Sequence, residues 1–519
     1  MSAPADVPVA PAPSGRAVRR WTRSRTRPRS TRGMGELLGD VYTALLAVAV
    51  TVAMVLSISA RLGADLAGAP AVAGEGVSLA PGWLAVLAAL AALAGLAGLT
   101  ARLGPVALSG PESSWWLPLP GERRSLLRPA AVRWPAVAAA AGACVGAAVI
   151  LVLAPRPDPA VALAAAVLGG AVAAALVLAI GLTEGSRRAH RWARRVADSA
   201  LAAVPAAGVV LAVLAPPVPA VSSAVVLAAA VAVAVVCAIA LLLDRRLVTF
   251  RDSVLRERGA VSGEALGAVL SLDTRALGRA LTENTLRPVR RRSTSMAWLA
   301  RVPPRWRAHA SLVTADALVL ARSPRHLVQL VATALLPVVA LAVPQPRPVV
   351  TLLLLVLGAY VGALATADGA RRAQVSPALD ALLPLSQAQV RRLRLAVPTA
   401  AMAAWSLLVF AAVAWRYGGA GYWLVLGLLA APVWAGAAVR AAYRPLPDFS
   451  GPLIHSPMGS LPPGLSTVIV KGPDVASLGA IPVLIALLVG AAAPALLVVQ
   501  AALSAIVLAI VARPGRPAT

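Results

Sequence analysis

The chain carries few charged residues for its length. Only 13% of its 519 residues are charged, whereas 59% are hydrophobic, and the mean hydropathy is +0.79. Soluble domains carry about 25% charged residues. So few charged residues exclude a protein surrounded mainly by water and predict an integral membrane protein.

Cysteine, histidine and lysine are scarce, which removes most of the usual catalytic and metal-binding chemistry. The two cysteines, Cys144 and Cys237, lie in apolar runs, where packing as small hydrophobic side chains is more common than a disulfide or a metal site. The only lysine, Lys471, lacks the glycine-rich loop with which ATPases hold phosphate. The four histidines are far apart and lack metal-ligand spacing: His190, His309, His326 and His455. The sequence therefore predicts no enzyme, no cofactor and no metal site in this chain.

Charge-free apolar runs recur along the whole chain. Because an α-helix rises 1.5 Å per residue, about 20 apolar residues cross the hydrocarbon core of a bilayer. We interpret twelve runs as spans: 41–58, 83–99, 134–153, 160–181, 200–214, 221–243, 327–343, 349–365, 397–415, 422–437, 476–493 and 495–511. The fifth run is short and contains Pro205, and Pro494 alone separates the last two, so the predicted count ranges from ten to twelve. The predicted fold class is all-α, a polytopic transmembrane helix bundle of about 12 spans.

The basic residues predict the orientation of these spans. The two termini and every second loop between the spans hold 44 of the 48 basic residues, and with their acids they carry a net charge of +26. The remaining loops hold four basic residues and carry +1. By the positive-inside rule both termini are cytoplasmic, in a multi-pass protein of the plasma membrane. The overall charge of +27 is therefore assigned to topology and anionic lipid, and nucleic acid is not expected as a partner.

Charge and hydropathy together divide the chain into five segments. We predict a disordered basic tail, a first transmembrane half, an arginine-rich cytoplasmic connector of amphipathic helices, a second transmembrane half and a short cytoplasmic tail. Their respective ranges are 1–33, 34–243, 244–326, 327–511 and 512–519. The connector is too small and too arginine-rich for an obvious catalytic domain, so we interpret it as an interfacial and partner-facing platform.

Two loops resemble each other and predict an internal duplication. Four pairs of residues match at one offset of 266: Pro111 and Pro377, Leu117 and Leu383, Pro118 and Pro384, and Leu119 and Leu385. The segment 43–46 also matches 333–336. Two repeats of six spans fit this pattern best.

Each of the two loops has the same physical plan: a proline breaks the chain, a short amphipathic stretch follows, and arginines lead into the next span. A span-connecting loop with snorkelling arginines is the plainer interpretation of either loop alone. Repetition favours a function, because a pseudo-twofold protein keeps corresponding surface helices when something twofold docks on both. The candidate docking residues are Trp116, Leu117, Pro118, Arg123, Arg124, Leu383, Pro384, Arg391 and Arg392.

At these residues the sequence resembles the permease subunits of ABC-2 type exporters. Segment 116–128 is similar to their coupling helix, which ends in a Leu-x-x-Pro, small or polar residue, Arg pattern, and 316–337 resembles the Arg-x-Pro-Arg entry into the first span of such a half. Segments 455–464 and 471–474 are similar to an uncharacterised actinobacterial family of fused twelve-span proteins. The chain departs from the pattern at 389–390, where Gln-Val replaces the Arg-Arg of 123–124, so the two docking surfaces are not expected to be equivalent.

The resemblance implies a permease subunit that exports an unidentified substrate with energy from a separate ATPase, in two copies. A secondary transporter is an alternative, disfavoured because none of the twelve runs contains an ionisable Asp, Glu, His, Lys or Arg. A non-transporting scaffold of the cell envelope is a further alternative.

Overall fold

The computed structural model describes residues 13–26, 34–67, 78–119, 121–154, 156–218, 221–270, 277–278, 280–281, 296–343, 348–444, 454–456, 459–461 and 472–513. These residues are almost entirely helical. A short antiparallel hairpin is the exception, with β1 (Ile454–Ser456) paired to β2 (Gly459–Leu461) so that His455 lies opposite Ser460.

Nine helices of the described chain extend from the basic tail to the first part of the connector. They are α1 (Gly15–Thr26), α2 (Met34–Ala67), α3 (Pro81–Leu103), α4 (Gly110–Trp116), α5 (Arg123–Leu153), α6 (Pro159–Thr183), α7 (Arg187–Leu214), α8 (Ala224–Arg246) and α9 (Asp252–Leu270). A 3-10 turn, Leu247–Thr249, follows α8, and another, Ala297–Arg301, lies in the connector.

The remaining helices begin in the connector and continue to the carboxyl end of the described chain. They are α10 (Pro304–Ala321), α11 (Pro324–Leu341), α12 (Pro348–Thr366), α13 (Asp368–Val375), α14 (Pro377–Ala381), α15 (Gln387–Leu393), α16 (Ala396–Tyr417), α17 (Ala420–Ala442), α18 (Pro473–Gly479), α19 (Ile481–Val489) and α20 (Pro494–Ala512).

The described part of the chain has nine helices long and apolar enough to cross a membrane. The pair α12 and α13, bent by 54° at its break, is a tenth if it counts as one span. Helices of this length satisfy their own backbone hydrogen bonds, which is what a bilayer requires of a spanning segment. The protein is therefore a polytopic helical membrane protein, as the sequence predicts.

The predicted count of twelve is not reached in the described residues. The first run lies within α2, a continuous helix of 34 residues, of which only Ala49–Arg61 enters the count of apolar helices. The eleventh run is broken at Ala480 into α18 and α19. Pro482 explains the break, because its ring lacks an N–H and clashes with the preceding turn of a continuing helix. The fifth run is longer than predicted, since α7 continues through Pro205 and begins at Arg187.

The loops separate into the two ends of the bundle that the charge pattern predicts. At one end, which we call the arginine-rich face, ion pairs link Arg102 of α3 to Asp198 of α7, and Arg123 at the start of α5 to Asp252 at the start of α9. At the opposite end the Leu79 N–H donates to the Ala342 carbonyl at 2.9 Å, joining the two halves. Which end faces the cytoplasm stays a prediction.

Three helix pairings correspond between the two halves. In the first half α2 packs on α5, α5 on α6, and α6 on α8; in the second α11 packs on α16, α16 on α17, and α17 on α20. A duplication would produce this correspondence, although the duplication itself stays a prediction. The halves meet where α7 packs against α11, at Gly208 and Val339.

One stretch of the basic tail is ordered, which contradicts the prediction of disorder for 15–26. Helix α1 docks on the start of α5: the Gly15 N–H donates to Ser125 Oγ at 2.8 Å, and Arg19 Nη1 donates to the Leu126 carbonyl at 3.0 Å. Trp116 Nε1 also donates to Thr22 Oγ1 at 3.2 Å. Composition alone predicted disorder, whereas tertiary contacts supply the stabilisation that a short charged helix lacks by itself. Residues 1–12 and 27–33 lie outside the described residues.

Candidate functional site

The first candidate loop is a capped surface helix followed by a tight turn. Ser109 caps α4: its Oγ accepts from the Glu112 N–H at 3.4 Å, and Glu112 Oε2 accepts from the Ser109 N–H at 2.9 Å. This capping box satisfies two backbone donors that a helix start leaves free. Pro111 occupies the first turn, where a missing N–H has no cost.

The predicted anchors of this loop are turned toward the chain itself. Leu117 is 6% exposed and packs in a cluster with Leu127, Phe250 and Leu255, and Trp116 packs against the same cluster. Trp115 instead is 76% exposed. Pro118, like Leu119 beside it, is exposed. The most exposed large apolar side chain of this loop is therefore Trp115.

Arginines fasten the start of α5 to the connector. Arg123 pairs with Asp252 and donates through Nη1 to the Phe250 carbonyl at 3.1 Å. Arg124 Nε donates to Asp244 Oδ2 at 2.9 Å, and Arg128 Nε donates to Asp244 Oδ1 at 2.6 Å. These contacts make Arg123 and Arg124 internal ties between the loop and the connector.

The second candidate loop repeats the plan with different details. Helix α14 starts at Pro377, and the chain turns at Leu382, which is 81% exposed. Leu383 is half-buried and Pro384 is exposed. At the offset of 266 Leu382 corresponds to Trp116, so the two loops expose different positions: Trp115 within α4 and Leu382 directly after α14.

Gln389, at which the sequence departs from the first loop, has a structural role. It completes a capping box with Ser386 at the start of α15: the Ser386 N–H donates to Gln389 Oε1 at 2.8 Å, and the Gln389 N–H donates to Ser386 Oγ at 3.3 Å. Arg391 lies over the Tyr443 ring, 4.6 Å from its centre, and donates to the Arg513 carbonyl at 3.0 Å. Arg392 is exposed.

Beside the first loop, a buried ionic cluster holds the connector on the first half. Arg258 of α9 donates through Nε to Glu184 Oε2 at 3.1 Å, through Nη1 to the Arg102 carbonyl at 3.2 Å, and its Nη2 lies 2.7 Å from His190 Nε2. Burial raises the pKa of Glu184, partly offset by the charge of Arg258. Gly104, at φ +80°, gives Arg258 room, because a Cβ there would lie 2.7 Å from Arg258 Cδ.

A second buried cluster holds the connector on the second half. Asp316 of α10 pairs with Arg394, whose Nη2 also donates to Asp380 Oδ1 at 2.7 Å. Burial raises the pKa of Asp316 to about 6, against the opposing effect of Arg394. The two clusters fix both ends of the connector beside the two candidate loops.

Sequence reasoning missed both clusters and the two exposed anchors. It treated His190 as a loop residue, although the side chain is buried. Two signals were available. Glu184 is an isolated acid at the end of a span, and Arg394 corresponds to Arg128 at the offset of 266. Nothing in the local pattern distinguishes Trp115 from Trp116 or Leu382 from Leu383.

Among the described residues, no three His, Cys, Asp or Glu side chains come together as metal ligands. The arrangement on the arginine-rich face offers contact surfaces and buried ion pairs, and these are features of a mechanical interface.

A family model described as "Family of unknown function (DUF6297)" matches residues 74–452. The match includes both candidate loops and the whole connector. No curated protein and no solved structure matches the chain.

Proposed function

This chain belongs to the DUF6297 family, a family of unknown function, and from the arrangement of its own residues we propose that it is the transmembrane permease subunit of an ABC-type exporter. A separate ATPase, in two copies, supplies the energy. The exported substrate is unidentified.

One observation carries the proposal: two short surface helices occupy corresponding places before the third helix of each half. Each begins at a proline in its first turn, and the most exposed large apolar side chain of each loop lies at that helix, Trp115 within α4 and Leu382 directly after α14. Large exposed apolar side chains surrounded by arginines are typical of binding hot spots within a polar rim. A pair of such sites suits a twofold partner.

The ion pairs behind these helices support the same proposal. Movement of a partner is transmitted only if the surface helices are rigidly attached to the spans. The start of α5 is tied to the connector through Asp252 and Asp244, and Arg394, next to α15, is tied to α10 through Asp316. A push on either helix therefore reaches both the bundle and the connector.

The test is co-purification of the ATPase from the native locus with Trp115→Asp and Leu382→Asp variants. Replacing a buried interface anchor by aspartate loses most of the binding energy of that anchor, about 2 kcal/mol or more. We expect recovery of the ATPase to fall at least tenfold with either variant. Leu117→Asp is unsuitable, because Leu117 is part of the chain's own core.

Leu214→Asp is the matched control, since Leu214 is a comparably exposed leucine at the end of α7 away from the arginine-rich face. Membrane abundance of all three variants should equal that of the wild type. Undiminished recovery with both loop variants would refute docking at these helices and favour the scaffold alternative. Transport by the isolated chain, driven by a proton gradient alone, would favour a secondary transporter.

A further inference from the structure

We propose that a groove between α3, α6 and α7 binds an anionic phospholipid, with its acyl chains in the groove and its headgroup held by Arg188 and Arg195. This inference does not depend on the exporter proposal.

The groove has a volume of about 680 Å³ and an almost wholly apolar lining. Along α7 its lining residues run from Ala189 to Ala207. At 1.5 Å per residue that is about 27 Å, long enough to extend from the headgroup region through one leaflet of a bilayer about 30 Å thick. Leu90 and Val196 in the lining are nearly half exposed, so the groove opens to the surroundings of the bundle.

The mouth of the groove carries the chemistry of a headgroup site. Arg188, Trp192 and Arg195 follow one another at helical spacing, so they lie on one face of α7. Trp192 lines the groove and is 67% exposed. Tryptophan prefers the membrane–water interface, and Arg188 and Arg195 beside it are also exposed.

The positive charge at the mouth of the groove favours an anionic occupant. The first three turns of α7 carry five arginines, namely Arg187, Arg188, Arg191, Arg194 and Arg195. The two nearest acids are already engaged by other helices: Glu184 binds Arg258, and Asp198 binds Arg102 through both carboxylate oxygens. Both acids also act on Arg194, whereas Arg188 and Arg195 form no ion pair within the described residues. A basic pocket between spanning helices attracts anionic lipid headgroups for this reason.

The experiment is native mass spectrometry of the full purified chain, titrated with phosphatidylglycerol and, separately, with neutral phosphatidylcholine. We expect phosphatidylglycerol to bind more tightly. The double variant Arg188→Gln/Arg195→Gln should weaken it about tenfold or more, since each arginine near a headgroup contributes a several-fold preference. Ala193→Phe, which fills the groove, should weaken both lipids.

Two matched variants separate this site from general attraction. Arg245→Gln/Arg246→Gln removes the same charge from two exposed arginines at the end of α8, and Ala234→Phe adds the same ring on the exposed face of α8. Both should bind phosphatidylglycerol like the wild type. If Ala193→Phe prevents folding, Ala200→Phe fills the groove about two helical turns further along α7.

Three outcomes would overturn the inference. Equal binding of the two lipids would remove the headgroup site. Equal losses in the Arg188/Arg195 and Arg245/Arg246 variants would show attraction by surface charge only. Unchanged phosphatidylglycerol binding in a folded groove-filling variant would place the lipid elsewhere, or leave the groove to a neutral occupant.

Discussion

The two halves hold the connector by ionic clusters of opposite design. In the first half the connector supplies the base, Arg258, and the bundle supplies the acid, Glu184. In the second half the connector supplies the acid, Asp316, and the bundle supplies the base, Arg394. The connector thus carries a buried positive charge near one end, Arg258, and a buried negative charge near the other, Asp316.

The clusters also differ in how many acids depend on the arginine. Arg258 neutralises Glu184, with His190 Nδ1 3.7 Å from the free carboxylate oxygen. Arg394 neutralises both Asp316 and Asp380. We expect this reversal to disfavour docking of the connector in the opposite direction, because an exchange would place Arg258 beside Arg394 and Asp316 beside Glu184. Specificity of this kind is attested for some buried ion pairs, which often contribute little net stability.

Loss of Arg394 should have the largest effect. Arg394→Ala leaves two carboxylates facing each other without a cation, and we expect the free energy of unfolding to fall by about 5 kcal/mol, the upper end for a broken buried pair. Denaturant unfolding in detergent measures this. Arg392→Ala, at an exposed neighbouring arginine, should change it by less than about 0.5 kcal/mol. Equal stability of the two variants would mean that the second cluster does not hold the connector.

Loss of Arg258 should cost less. Arg258→Ala leaves one buried carboxylate, Glu184, for an expected loss of about 3 kcal/mol near neutral pH. Because burial already raises the pKa of Glu184, protonation in mild acid should recover part of the loss. Unfolding measured at two pH values tests this, with exposed Arg256→Ala as the control. A larger loss than in Arg394→Ala would reverse the comparison.

The spans were predictable because a single chain segment that crosses the hydrocarbon core must form a helix. Each apolar run had to satisfy its N–H and C=O groups internally, and this constraint does not depend on neighbours. The eleventh run is not one continuous helix, and hydropathy averaged over a window does not register the single helix-breaking residue Pro482. The beginning of α7 was placed too late because its arginine-rich first turns do not look apolar.

The candidate site was less predictable because exposure is decided by tertiary packing. Trp115 and Trp116 are adjacent and identical, yet only Trp116 meets Thr22 of α1 and the cluster around Phe250. The order of α1 and the burial of Leu117 depend on contacts with segments distant in the chain. The sequence predicted the loops but not which of their side chains face outward.

The pH dependence of folding stability should also distinguish the two clusters. The pKa of Asp316 is raised to about 6 from 3.8, so the folded protein binds a proton that the unfolded chain releases between these values. Stability from this group is therefore present in full below about pH 4 and is lost as the pH rises through 6, by about 3 kcal/mol. Asp316→Asn should flatten this part of the stability profile. An unchanged slope in the variant would assign the pH dependence to another group.

The smallest effect should come from the capping boxes of α4 and α15. Glu112 and Gln389 occupy the same capping position, but only Glu112 is a carboxylate, and the start of a helix favours negative charge by about 0.3–1 kcal/mol. Glu112→Gln should therefore loosen α4, and the reciprocal Gln389→Glu should tighten α15. Hydrogen exchange at the Ser109 and Ser386 amides, which donate to these side chains, should change in opposite directions by about twofold to fivefold. Changes of the same sign would show that the two helix starts differ in more than the charge of one side chain.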